Sequence, residues 1–372
     1  MFQTSDNLDT GIKSKSISKP TVVVIKTDPD SIISDIGSAM RTAGYKEVFS
    51  PDLDTILKVN ISWQHYYPAC STSPWQLDGV IQTLKDDGFE KIIPTHNGTV
   101  VVDAREGAIS NKHTNVEEKH GLNSVFLEDE EWISFKPSGK MLVLDEIFND
   151  GIHIPKHLIG KNIIHLPTMK THVFTTITGA MKNAFGGLLN FQRHWTHSVI
   201  HETLVDLLRI QKEIHPGIFA VTDGTFAGSG PGPRAMQWHE KNIILASSDQ
   251  VAIDAVSASM MGFDPMSIDF IRMAHEEGLG CGDLSQINIV GEDIDSVDWG
   301  FQRGNTFASQ GQKMIYWGPL KPLEKALLRS PITPLAYAAS NLYHNEYWLR
   351  FIGKQRINKA MQTKWGNLFR SY

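Results

Sequence analysis

Between Ile163 and Leu208 the sequence gathers two lysines, Lys170 and Lys182, and five histidines. A packed core has no use for so many cations and imidazoles, because a buried polar group costs free energy unless it is partnered. Two chemistries fit. Lysines that converge on a pocket bind a carboxylate or phosphate. With its pKa lowered by burial, a lysine also becomes a base or an imine-forming nucleophile. The histidines offer the second chemistry. His194, His197 and His201 stand at i, i+3 and i+7, one face of a helix, and the 197/201 pair has the spacing used for zinc or iron. His165 and His172 would add ligands, and Asp206 would orient one of them; imidazole donors leave the transition metal open among zinc, iron, copper and nickel.

Other candidates lie outside that stretch. Lys58 and Asn60 are two apart near the end of an apolar run, so both project from one face of a strand. Asp223, before Gly224 at the expected end of a strand, reads as a base, a metal ligand or a turn former. Asp254 stands among Val251, Ala252, Ile253 and Ala255, where a charge demands a partner such as Lys182 or a strand-end amide. Gly228 and Gly230, in a glycine-proline loop over 226–233, would let backbone N–H groups approach an anion, although no glycine pattern here has nucleotide-loop spacing. Ser247, Ser248 and Asp249 close a further strand and supply another wall.

The elements that must carry these residues alternate. Strands are expected at 21–25, 55–60, from 92, at 142–144, 163–166, 217–222 and 243–246, and helices at 31–43, 75–87 and 251–261. After Pro167 a polar loop is expected to carry Lys170 and His172. A β-α-β rhythm of this kind predicts an α/β fold, mostly parallel sheet with helices on both faces, in one or two lobes. Ligands of such sheets bind at the carboxyl ends of the strands. The expected organisation is a disordered leader (1–20), a body (21–315) with an inserted cap over 108–160, and a basic, aromatic, helical tail (316–372).

The ordered run Lys58-x-Asn60, Thr72-x-Pro74, Leu166-Pro-x-x-Lys-Thr-His172, Thr178-Gly-Ala-x-Lys-Asn183, Val221-x-Asp-Gly224, Gly228-x-Gly-Pro231 and Ala246-x-x-Asp249…Asp254-Ala…Gly262-Phe-Asp-Pro265 resembles the DUF362 family over roughly 22–282. The resemblance implies little about function, since the family is named for lacking an assigned one; the residue chemistry itself makes Lys170, His172, Lys182 and Asp223 the catalytic candidates, and Lys58, Asn60, Thr178, Gly179, Asn183, Gly228 and Gly230 the ligand-binding candidates. Many members of that family carry a ferredoxin-like cysteine module. This chain has two cysteines, Cys70 and Cys281, too few for a four-cysteine iron–sulfur cluster.

Net charge is −6 over 372 residues, but it is unevenly spread. From Lys321 to Tyr372 nine Lys/Arg face two acids, so the tail is +7 and the rest −13. No apolar run approaches the roughly 18 residues of a membrane helix. A cytoplasmic location follows, with the tail docking peripherally on a membrane, gripping a protein partner, folding back onto the acidic body or packing in a homo-oligomer. An acidic body without a reading motif disfavours nucleic acid. Two functions follow as expectations. One is an enzyme acting on a small anionic or carbonyl-bearing metabolite in a lysine-lined pocket, with histidine- or metal-assisted acid/base chemistry. The other is a non-catalytic metal- or ligand-binding accessory protein that docks through its basic tail.

Overall fold

A computed structural model describes residues 19–99, 102–324 and 342–372. The expected leader falls almost wholly outside them, as does 325–341 of the tail. The strands, in chain order, are β1 (Thr21–Lys26), β2 (Thr55–Val59), β3 (Ile92–His96), β4 (Val125–Phe126), β5 (Trp132–Phe135), β6 (Ile152–Pro155), β7 (Asn162–Leu166), β8 (Thr168–His172), β9 (Thr176–Ile177), β10 (Ile218–Ser229), β11 (Gln237–Ser247) and β12 (Asn288–Gly291). Among the described residues, ten of them form one sheet in the order β12-β1-β11-β10-β7-β2-β3-β4, with β8 attached to β10 and β9 to β8. β10, β7, β2, β3 and β4 run parallel, and β11 enters antiparallel between β1 and β10. β5 and β6 pair separately and antiparallel.

Alternate side chains of the central strands go to opposite faces, and both faces are covered. Val22, Val24, Ile56, Ile163 and Ala220 pack with the helices Ile200–Ile214 and Gln250–Met260. Val23, Leu57, Ile164, Phe219 and Val221 pack with Ile32–Thr42 and Pro74–Asp86. Burial on both sides is why these strands read as continuous apolar runs.

Four expectations need correction. Thr168–His172, expected as a loop, is strand β8, held by pairing with β10 rather than by any apolar pattern. β10 continues through Asp223 to Ser229, so Asp223 lies within a strand and not at its end. Leu142–Leu144 is not a strand: the Asp206 carboxylate accepts the N–H groups of Leu142, Val143 and Leu144 at 2.7, 2.9 and 3.1 Å, which takes them out of any ladder. The three-histidine helix is broken, because Phe191–Val199 is a tight 3₁₀ segment and the α-helix begins at Ile200.

The described part of the tail folds onto the body. Trp365 is buried, packs against Trp75 with ring centroids 5.0 Å apart and planes tilted by 38°, and donates to Asn242 Oδ1 at 2.7 Å. Trp348 packs on Tyr67 at 5.2 Å, and Tyr372 Oη donates to Asp78 at 2.8 Å.

Candidate functional site

The parallel strands β2, β3 and β7 deliver their carboxyl ends to one side of the sheet, and a cavity of about 360 Å³ opens there. Lys58 and Asn97 reach it from β2 and from just past β3. His172 and Phe174 reach it from the end of β8, and Thr178, Lys182 and Asn183 from the short helix Gly179–Asn183. Arg193, His194 and His197 come from the 3₁₀ segment, and Pro231, Gly232 and Arg234 from the loop after β10. The helix Phe307–Tyr316 and His344 of the tail complete the wall. No Asp or Glu among the described residues lines it. A second cleft of about 500 Å³, between Ile147–His153 and Leu189–Trp195, has no lysine or arginine in its lining.

The three lysines are not equivalent. Lys58 Nζ donates to the Val59 carbonyl at 2.8 Å and to Asn97 Oδ1 at 2.7 Å. Burial, then Arg193, pushes its pKa down to about 7. Lys170 donates to the Cys70 carbonyl and Thr168 Oγ1, both at 2.7 Å, and burial brings it to about 8. Lys182 lies 5.4 Å from the Phe185 ring centroid; burial, then Lys170 and Arg193, pushes it down to about 7. Thr178 Oγ1, on the same cavity, is buried without a hydrogen-bond partner among the described residues.

Two of the cavity imidazoles, His172 and His197, are held neutral in complementary tautomers. His172 Nδ1 accepts the N–H groups of Phe174 and Thr175 at 3.2 and 3.4 Å, so the ring proton sits on Nε2. Burial, then Lys182, holds its pKa well below the usual imidazole range. His197 Nδ1 lies 3.1 Å from the His194 carbonyl and carries the proton, which leaves the Nε2 lone pair free to accept. Its ring stacks on Tyr316 at 5.8 Å, and burial pushes its pKa to about 3.

The backbone that places these groups is tightly determined. Gly179 has φ +71°, and a Cβ there would come within 2.4 Å of the Asp254 carboxylate. That carboxylate accepts the Ala180 and Met181 N–H groups at 2.6 and 3.0 Å and so fixes the helix carrying Lys182; burial pushes its pKa up to about 7. Gly232 passes so close to β8 that a Cβ would overlap the Thr171 carbonyl.

The sequence profile described as "Domain of unknown function (DUF362)" matches residues 55–259, more than half of the chain. The chain belongs to the DUF362 family. It is also similar to "Thylakoid-associated protein sll1697" of Synechocystis sp., with 32% identity over 125 residues, which is 32% of this chain and 37% of that protein. The chain thus matches only about a third of that relative's length. No solved structure matches. Among the described residues no helix is long and apolar enough to cross a membrane.

Within the DUF362 region, Lys58, Asn60, His172, Thr178, Lys182, Asn183, His194 and His197 line the cavity. The other expected site residues do not. Lys170 Nζ is taken up by the Cys70 carbonyl and Thr168 Oγ1, and Asp223 belongs to a separate, almost filled crevice, where it accepts from Ser73 Oγ and the Thr225 N–H at 2.5 and 2.7 Å. Gly228 packs on Met236 and Lys170, and Gly230 only precedes the residues that reach the cavity. Asp249 caps the helix Gln250–Met260 and holds the Cys281 N–H.

The histidine metal set does not assemble. His201 Nδ1 accepts the Phe270 N–H at 3.2 Å and its ring packs on Phe270, away from the cavity. His165 bonds Gln211 at 2.6 Å, and Asp206 is engaged with the 142–144 amides. No group of three or more His, Cys, Asp or Glu among the described residues is placed to hold a metal.

Sequence reasoning missed Arg193, Arg234, Tyr316 and His344, which line the cavity from distant segments. Arg234, directly after Gly232-Pro233, was the most readable of these: a cation at the mouth of a glycine-proline loop.

Proposed function

We propose that the protein is an enzyme acting on a small anionic or carbonyl-bearing metabolite bound in the cavity at the strand ends. The observation that carries this reading is the one-signed lining: Lys58, Lys182, Arg193 and Arg234 without a carboxylate among the described lining residues. Low dielectric and fixed donors make such a site selective for anions. Lys58 and Lys182, with pKa values near 7, exchange a proton close to neutral pH, where an acid/base group is most effective. His172 offers a neutral Nε2–H to a carbonyl or oxyanion, and His197 offers a lone pair. Calorimetric titration with oxalate and with inorganic phosphate tests the reading. Saturable binding of either, weakening as pH rises past 7, is expected; no binding of both would sink it.

A second reading concerns the tail, and it is compatible with the first. Leu342, Tyr347 and Phe351 are exposed, with Tyr347 and Phe351 ring centroids 5.6 Å apart. Lys354 and Lys359 are exposed beside them. Apolar rings flanked by lysines suit peripheral docking on an anionic membrane surface, and the related protein from Synechocystis is named for its thylakoid association. Flotation with phosphatidylglycerol vesicles should carry the protein upward. A Tyr347→Ser, Phe351→Ser variant that floats equally well would defeat this reading.

A further inference from the structure

Two of the three interior lysines are committed to protein acceptors, Lys58 to Val59 and Asn97, and Lys170 to Cys70 and Thr168. Lys182 makes no hydrogen bond to any described residue. It faces the cavity over the Phe185 ring, and the charges that bear on it, Lys170 and Arg193, are both positive. Among the described residues it finds neither acceptor nor counter-charge, and an amine with a free lone pair requires neither. The groups around it suit an electrophile beside a carboxylate. His172 Nε2–H and the unpartnered Thr178 hydroxyl are donors on the same cavity. Arg234 uses Nε on the Ser62 carbonyl at 3.0 Å, and its terminal amino groups remain for a carboxylate. Phe174, Phe185 and Tyr316 supply an apolar wall.

We infer that Lys182 is an imine-forming amine, and that its substrate class is a 2-oxo acid with an apolar substituent. This rests on the reading of the cavity as an anion site and names what the anion carries. The amine lone pair adds to the carbonyl carbon, and one N–H proton passes to the carbonyl oxygen to give a carbinolamine. The C–O bond then breaks, and the oxygen leaves as water with the second N–H proton, so that nitrogen and carbon are joined by a double bond. His172 relays protons between nitrogen and oxygen, returning to its starting tautomer. The lysine at about 7 supplies the free amine under neutral conditions.

The test is reductive trapping on the full chain. Phenylpyruvate and sodium cyanoborohydride are added and the modified lysine is mapped by peptide mass spectrometry, with oxalate binding measured in parallel. A single adduct on Lys182, suppressed by excess oxalate, is expected. Lys182→Arg should lower total labelling at least tenfold. Labelling spread over surface lysines, or oxalate binding without an adduct on Lys182, overturns the imine and leaves the anion site standing. Absence of oxalate binding overturns both. If Lys182→Arg does not fold, the map on the unsubstituted protein still decides.

Discussion

Two polar interiors meet along one strand of this protein, and they behave oppositely. Thr168, Lys170 and His172 alternate on one face of β8. At the Thr168 end lies the Asp223 crevice, with about 10 Å³ of open space, where Ser73, the Thr225 amide and Trp75 close on one carboxylate. At the His172 end lies the cavity, roughly thirty-six-fold larger, where among the described residues neither the Lys182 amine nor the Thr178 hydroxyl finds a hydrogen-bond partner. Both ends are written in the same residue types and the same family motifs. What separates them is satisfaction: hydrogen bonds completed within the protein stabilise it, and donors left over are free for a ligand.

That contrast can be broken by substitution. The largest effect is expected from Asp223→Ala, which strips a buried carboxylate from its donors and should cost about 3 kcal/mol in urea unfolding. Oxalate affinity of the folded protein should stay within threefold; a stable variant that has lost oxalate binding would invert the contrast. Lys182→Met should do the reverse. Affinity for oxalate is expected to fall at least tenfold, about 1.4 kcal/mol, with the unfolding midpoint unchanged or higher.

The pH dependence sharpens the same point. The folded pKa of Lys58 and Lys182 lies below the usual lysine value, so the folded state binds fewer protons than the unfolded one between about 7 and the unfolded value. Stability therefore rises with pH across that window, whereas oxalate affinity, which needs ammonium, falls. Parallel rather than opposite trends in thermal shift and calorimetry would count against this assignment.

His201→Ala should remove the acceptor of the Phe270 N–H and cost about 1 kcal/mol, with oxalate affinity unaltered. A fall in affinity would return His201 to the site. The smallest effect is expected from Tyr372→Phe, which removes one bond to Asp78 and should lower stability by roughly 0.5–1 kcal/mol.

Much of the fold is legible in the sequence because strands buried on both faces, such as Val22–Ile25 and Ile163–Leu166, announce themselves by composition. β8 does not. Thr168-Met-Lys-Thr-His172 has charge and no apolar alternation, and only its pairing beside Asp223 and Gly228 makes it a strand. The site was half legible for a related reason. Lys58, His172 and Lys182 sit in local motifs next to strand ends, but Arg193, Arg234 and His344 arrive by tertiary folding. The histidine spacing misled because periodicity assumes one continuous helix. The change from 3₁₀ to α geometry at Ile200 rotates His201 away from His194 and His197. Asp254 was legible as a residue in need of a partner, and the partner proved to be backbone amides.

The packing of Trp75 against Trp365 gives the molecule an optical signature. Two indoles with centroids 5.0 Å apart couple their transitions, so near-ultraviolet circular dichroism should carry a couplet that exists only while the tail is seated. One spectrum would then report detachment of the tail separately from melting of the sheet. If the tail lifts when it meets a lipid surface, the couplet should vanish while the far-ultraviolet signal holds.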